Sequence, residues 1–238
     1  MQGFKAEMKP KAYIFDVFGT LVDWRSSVAR EAALFLEAKG LTVDPLDFAD
    51  YWRGRYQPAM ERIRSGARGY ISLDTLHREN LEETLAHFSL AKAFSESEKS
   101  DLNHAWEKLD PWQDVVDGLT AIKREAIIAP CSNGSIALMT RLAKYGGLPW
   151  DCVLGADIAQ NYKPDPTVYH ACCNALLLQP SEVMMVAAHN SDLVAAQSCG
   201  LQTAFIARSM EYGAGQVDDL APTGQWDRVV TTIGSLAN

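Results

Sequence analysis

No stretch of this chain stays apolar for the roughly 18 residues that a membrane-spanning helix requires, so a helical span is excluded. Basic residues are also in short supply: 22 Lys and Arg stand against 30 Asp and Glu, a formal net charge of -8. Without a basic stripe to neutralise phosphates, nucleic acid is not an expected partner. An anionic small molecule gains nothing from such an overall field and has to be captured by local Arg, Lys and backbone N–H groups. The five cysteines form no CxxC pair, which points to reduced thiols and a cytoplasmic setting. Cys172 and Cys173 read as small core residues on a helix rather than as metal ligands. The opening "MQGFKAEMKPK" lacks the apolar core of a secretory signal, so the protein is expected to stay where it is made. Internal repeats and low-complexity segments are missing too.

What is present is an ordinary globular composition, 238 residues with 47% hydrophobic and 22% charged, long enough for an α/β core and a smaller companion. The run Ala12 to Val17 is continuously apolar, as in a parallel strand buried on both faces. "SSVAREAALFLEAKG" then reads as a helix with serine caps at its start and Gly40 at its end. "DPLDFADYWRGRYQPAMERIRSG", "SLDTLHRENLEETLAHF" and "SESEKSDLNHAWEKL" continue with apolar residues at three- and four-residue spacing. From Pro111 the rhythm changes to strand and helix in turn, with strands at "EAIIAPCSNGS", "CVLGADI", "EVMMVAAHNSDL" and "QTAFIAR". The pattern predicts a doubly wound parallel sheet, Rossmann-like, with a helical cap inserted after the first strand. The core is expected over residues 11–25 and 110–238 and the cap over 26–109.

Ligands in such sheets bind beyond the carboxyl ends of the strands. Polar clusters sit at four of those ends: Asp16 to Thr20, Ser132 with Asn133, Lys163, and His189 to Asp192. Asp16 is the most telling. In "KAYIFDVFGTLVDW" it follows a buried apolar strand, where a carboxylate costs several kcal/mol unless it is paired or hydrogen-bonded.

In this order the clusters resemble the haloacid dehalogenase superfamily. "FDVFGTLVDW", "SNGS", "YKPDPTVY" and the acid ending "VAAHNSD" are similar to its L-2-haloacid dehalogenase (type II) branch. The resemblance implies that Asp16 attacks the halogen-bearing carbon and forms an ester that water then opens, giving a hydroxy acid of inverted configuration. It further implies that Lys163 keeps Asp16 ionised and attracts the substrate carboxylate, while Thr20 orients the nucleophile. Ser132 and the N–H groups after Asp16 bind the carboxylate, Asn133 and Arg53 receive the halide, and Asp192 positions or activates the water. His189 either supports the site through a hydrogen bond or activates the water. Tyr169 either directs its hydroxyl at the site or is structural, and Arg55 is the alternative to Arg53.

Two departures separate this chain from the superfamily's phosphatases. Phe18 stands where they carry the acid that protonates a departing alkoxide, help worth about a hundredfold or more; halide leaves without a proton. Ala187-Ala188 replaces their Gly-Asp, which removes a carboxylate from the magnesium site. No cofactor and no metal are therefore expected, with a small haloacid as the substrate. The alternatives are a magnesium-dependent phosphatase or phosphotransferase, and a non-catalytic member that binds a small acid or a partner protein. Within the dehalogenase branch Ala187, His189 and Ser191 depart from the usual Ser, Asn and Trp. Members of the branch are often dimers, and a homodimer is compatible with the sequence. Trp24, Trp52 and Tyr70 read as core or cap-hinge residues.

Overall fold

The computed structural model describes residues 9–237. The first eight residues of the opening segment, on which the expectation about a secretory signal rests, lie outside the described residues. In chain order the elements are β1 (Ala12–Phe15), β2 (Val22–Asp23), α1 (Trp24–Ala38), α2 (Pro45–Gly54), α3 (Tyr56–Arg64), α4 (Leu73–His87), α5 (Glu96–Asn103) and β3 (Asp110–Pro111). Then come α6 (Val115–Ile122), β4 (Ile127–Ser132), α7 (Ile136–Gly146), β5 (Leu154–Gly155), α8 (Ala156–Ala159) and α9 (Pro166–Ala175). The chain closes with β6 (Val183–Ala187), α10 (Asn190–Ser198), β7 (Gln202–Ile206) and β8 (Arg228–Val230).

Six strands form one parallel sheet in the order β5-β4-β1-β6-β7-β8. The apolar run that opens the sheet explains its two-sided burial. Tyr13 and Phe15 pack into one hydrophobic cluster, Ala12 and Ile14 into another, and all four are buried. Successive side chains of a strand point to opposite faces, so β1 needs helices on both sides of the sheet. β1 sits between β4 and β6, the point where the chain switches direction across the sheet. Loops after β4, β1 and β6 diverge there and leave a crevice at their carboxyl ends.

Helices α1 to α5 intervene between β1 and β4 and form the inserted helical cap. The short antiparallel pair of β2 and β3 joins the outgoing and returning chain at its base. Cap and core share one hydrophobic cluster, in which Trp24, Trp52 and Trp106 are fully buried.

Several local expectations change. Helix α1 is capped not by serine but by Asp23, whose side chain accepts the Ser26 N–H, while Ser27 Oγ accepts the Asp110 N–H from the returning strand. The segment "DPLDFADYWRGRYQPAMERIRSG" is two helices that break at Arg55. Pro58 has no N–H to donate to the Gly54 carbonyl, so a single continuous helix is disfavoured there. "CVLGADI" pairs only at Leu154–Gly155 before turning into α8. Gly155 has φ +125°, and a Cβ there would lie 2.2 Å from the Ser132 carbonyl oxygen, so only glycine lets β5 approach β4 this closely. Edge strand β8 is an addition that the sequence pattern did not suggest. Among the described residues no helix is long and apolar enough to cross a membrane, and the five cysteines are free thiols, with Cys172 and Cys173 buried in the core.

Candidate active site

The crevice holds a cavity of about 270 Å³ between the strand ends and the cap. Asp16 forms part of its lining, held by a turn that the sequence dictates closely. Its N–H donates to the Val186 carbonyl of β6, and the Leu21 N–H donates back to Val17. Gly19, at φ +85°, closes the turn with a backbone conformation that L side chains rarely adopt.

The two oxygens of Asp16 have different surroundings. Oδ1 accepts from Lys163 Nζ at 2.9 Å. Oδ2 accepts from the Thr20 hydroxyl at 2.7 Å and lies 3.0 Å from His189 Nδ1. Thr20 Oγ1 in turn accepts the Ala188 N–H, which fixes its proton on Asp16. Lys163 Nζ also donates to Asp192 Oδ2, while the Tyr169 hydroxyl donates to Asp192 Oδ1. Asp16, Lys163 and Asp192 are only 7%, 5% and 8% exposed. Burial on its own disfavours the Asp16 charge; the Lys163 ammonium and the His189 and Thr20 hydrogen bonds outweigh it and hold the carboxyl far below the usual range. Burial likewise disfavours the Lys163 ammonium, yet Asp16 and Asp192 hold its pKa above that of a free lysine.

The remaining expected residues divide into those the cavity meets and those behind it. Phe18, Arg53, Asn133, Lys163, His189 and Asp192 line it. The Asn133 carbonyl oxygen accepts the Lys163 N–H at 2.8 Å, which leaves its amide nitrogen available to the cavity. The Arg53 guanidinium lies 3.9 Å from the centroid of the Tyr56 ring, and its Nη1 is buried without a hydrogen-bond partner. Arg55, the other candidate, lies over Tyr51 instead. Ser132 is fully buried and outside the lining; its Oγ accepts the Gly134 N–H and so shapes the loop that carries Asn133. Thr20 and Tyr169 also act from behind, through Asp16 and Asp192. From the cap, Arg64 Nη1 donates to the Lys163 carbonyl at 2.9 Å and ties α3 to the lysine loop.

Sequence reasoning missed Glu211, Tyr212 and Tyr56. Tyr56 and Tyr212 line the cavity and, with Arg53 and Gln57, also line an adjoining hollow of about 320 Å³. Glu211 is 1% exposed in the irregular segment after β7; Oε2 lies 2.9 Å from His189 Nε2 and Oε1 accepts from Trp24 Nε1 at 2.9 Å. A lone acid in "SMEYG" carries no motif. The only hint was Gly19, whose missing side chain leaves the space that the Glu211 carboxylate fills.

The arrangement can present an ionised, fixed carboxylate to an electrophile, with cations and an amide nearby to receive anions. Residues 10–200 match the haloacid dehalogenase-like hydrolase family. The crystal structure of a defluorinating L-2-haloacid dehalogenase, Rha0230, is 50% identical, covers 96% of this chain and 94% of that chain, and superposes with a TM-score of 0.94. (S)-2-haloacid dehalogenase 4A of Burkholderia cepacia is 30% identical over 83% of each chain. A phosphoglycolate phosphatase of Psychrobacter arcticus matches at 25% over 92% of this chain and 93% of its own.

Proposed function

The chain belongs to the haloacid dehalogenase-like hydrolases, and from that membership we propose that it is a metal-independent hydrolase converting short (S)-2-haloacids or haloacetates to 2-hydroxy acids and halide. The observation that carries this reading is the state of its two facing carboxylates. Lys163, Thr20 and His189 take the oxygens of Asp16, and Lys163 and Tyr169 take those of Asp192. A hard cation needs several free oxygen ligands, and these are committed to protein donors. Beside them Phe18 offers an apolar wall where a phosphatase needs a proton donor.

An oxygen of Asp16 attacks the carbon opposite the halogen, and the carbon–halogen electron pair leaves with halide toward Arg53 and the Asn133 amide. Lys163 and the N–H groups of the Asp16 turn hold the substrate carboxylate. Water then adds to the aspartyl carbonyl, the bond to the substrate oxygen breaks, and the hydroxy acid departs with Asp16 restored. Asp192, fixed by Tyr169, positions that water. The five free thiols support a reducing, cytoplasmic setting.

Halide release from 2-chloropropionate, chloroacetate and fluoroacetate, with and without chelator, tests the proposal. The 50% identity to a defluorinating relative is the reason for including fluoroacetate. Chelator-insensitive release that Asp16→Asn abolishes is expected, with oxygen-18 from a single turnover in labelled water appearing in Asp16. Magnesium-dependent cleavage of a phosphate ester without halide release refutes it.

A further inference from the structure

The reading above leaves open what His189 contributes. Its ring nitrogens stand 3.0 Å from Asp16 Oδ2 and 2.9 Å from Glu211 Oε2, a carboxylate at each end. A neutral imidazole has one N–H and must turn a lone pair toward one of those anions; only the imidazolium donates to both. Glu211 strengthens the argument, because a carboxylate 1% exposed needs a cationic partner as well as the single donor Trp24 Nε1. It cannot drift away, since its carboxyl packs against the bare Cα of Gly19 within the nucleophile's own turn. Burial works against the imidazolium charge, and the bonds to Asp16 and Glu211 overcome it, so His189 stays protonated well above its usual range.

Thr20 and His189 together occupy Oδ2, whereas Oδ1 meets Lys163 alone. Resting on the dehalogenase reading, we propose that the Glu211-held His189 imidazolium, with the Thr20 hydroxyl, makes Oδ1 the attacking oxygen and then acts as the oxyanion hole for Oδ2 when water opens the ester. In the first step Oδ1 bonds to carbon and halide leaves. Oδ2 becomes the ester carbonyl oxygen with both donors still on it. When hydroxide equivalent adds to the carbonyl carbon, the π electron pair moves onto Oδ2, where a charge and a hydroxyl already point. Collapse returns that pair and expels the hydroxy acid's oxygen, which takes up one of the water's two protons; the other leaves the restored Asp16 carboxyl for solvent, so each turnover releases halide and one proton.

The proposal predicts which half of the reaction suffers. Removing one oxyanion-hole donor costs about 10²–10³ in rate. In His189→Gln, halide should appear as a burst of about one per site and then nearly stop, with turnover down by that factor and the ester visible as a mass adduct on the peptide carrying Asp16. The burst itself shows that the variant has folded. Glu211→Gln gives an independent readout. Groups around the ring include Asp16 and Glu211 in contact, Lys163 and Asp192 beyond Asp16, and Arg53, Tyr212 and Asp219 along the cavity wall. Removing the Glu211 charge lowers the pH at which His189 loses its proton, so the alkaline limb of ester hydrolysis should move to lower pH. A purely structural glutamate would leave that limb in place. Equal loss of burst and turnover in His189→Gln, or hydrolysis that rises as His189 deprotonates, overturns this inference alone. No halide from the wild type with any haloacid overturns the dehalogenase reading and this inference with it.

Discussion

Replacing Lys163 by methionine isolates the charge that the whole site turns on. The side chain keeps its approximate length and loses its ammonium, leaving Asp16 and Asp192 buried with no lysine between them. At 2.9 Å and an effective dielectric constant near 20, a contact of this kind is worth about 6 kcal/mol before desolvation is counted. Removing one partner of a buried pair typically costs about 3 to 5 kcal/mol net. Divided by 1.36 kcal/mol for each tenfold step in protonation, this raises the Asp16 pKa by about two to four. In the wild type the Asp16 carboxyl titrates far below the usual range, so it stays ionised at every pH used for assay and contributes no acid limb. In Lys163→Met that rise returns the carboxyl no higher than the ordinary aspartate range, so an acid limb should emerge at the low end of the assay, with halide release falling as the pH drops below about 5. The substrate carboxylate also loses its cation, so kcat/KM at neutral pH should fall by at least about 10², equivalent to roughly 3 kcal/mol. Stability gives a check of opposite sign. The wild-type carboxyl, depressed on folding, contributes stability that is complete above the unfolded value of about 4 and is lost below it, so the variant's deficit should be constant from about pH 5 upward and shrink as the pH falls below about 4. Halide release on 2-chloropropionate between about pH 3 and 9, with Tm across the same range, measures both. A variant that keeps a third of wild-type kcat/KM with no new acid limb refutes the reasoning.

Arg53→Lys keeps the charge but forfeits the planar stacking on Tyr56 and the fork of donors; halide release should drop by about 10² or more, and a change below threefold would remove Arg53 from the halide site. Gly155→Ala places a Cβ 2.2 Å from a backbone oxygen at φ +125°, so neither rotamer change nor side-chain movement relieves it. A loss of about 3 kcal/mol or more is expected, read from the urea midpoint, and a shift worth under about 0.5 kcal/mol would contradict the close approach of β5 to β4.

Much of this architecture was legible because single physical rules fix it. The run through Tyr13, Ile14 and Phe15 is apolar on consecutive residues, a pattern that a central parallel strand tolerates and a one-sided strand does not. Asp16, Lys163 and Asp192 were legible through strand ends in a recognisable order. What escaped depended on contacts between residues distant in sequence. Glu211 meets His189 and Trp24 across 22 and 187 positions, from a segment with no periodicity to read. Asp23 displaced the expected serines as the α1 cap because the adjoining β2–β3 pairing fixes where the helix can begin. Arg53 and Arg55 stand two residues apart in a stretch whose three- and four-residue apolar spacing does not tell them apart. The break falls at Arg55 itself, so Arg53 lies in the last turn of α2 facing Tyr56 while Arg55 sits in the junction over Tyr51. Pro58 was the available signal. Ser132 shows the reverse: it stands at a strand end as expected, yet it is buried outside the cavity lining, and its Oγ accepts the Gly134 N–H that shapes the Asn133 loop.

The two half-reactions of the proposed function ask opposite things of one carboxyl group. It must first carry full charge, then become an ester whose carbonyl carbon invites attack. Surroundings that only stabilised the anion would oppose the second step, since they would hold the free carboxylate too well and leave the ester unassisted. The donors here are divided between the oxygens in a way that meets both demands. Lys163 shares its ammonium between Asp16 Oδ1 and Asp192 Oδ2, so a substrate carboxylate arriving beside it can take one of its donor positions and leave Oδ1 to attack. Thr20 has no such freedom, because the Ala188 N–H occupies its acceptor site and fixes its proton on Oδ2. His189 is equally constrained through Glu211, itself wedged between Trp24 and Gly19. Shared charge thus serves the oxygen that must react, and dedicated charge serves the oxygen that must receive electrons. Preorganised donors of the second kind avoid reorganisation at the moment charge develops. This also resolves the tension between an acidic protein and an anionic substrate: a formal net charge of -8 acts through solvent-screened distances, whereas Lys163, Arg53 and His189 act within the buried crevice.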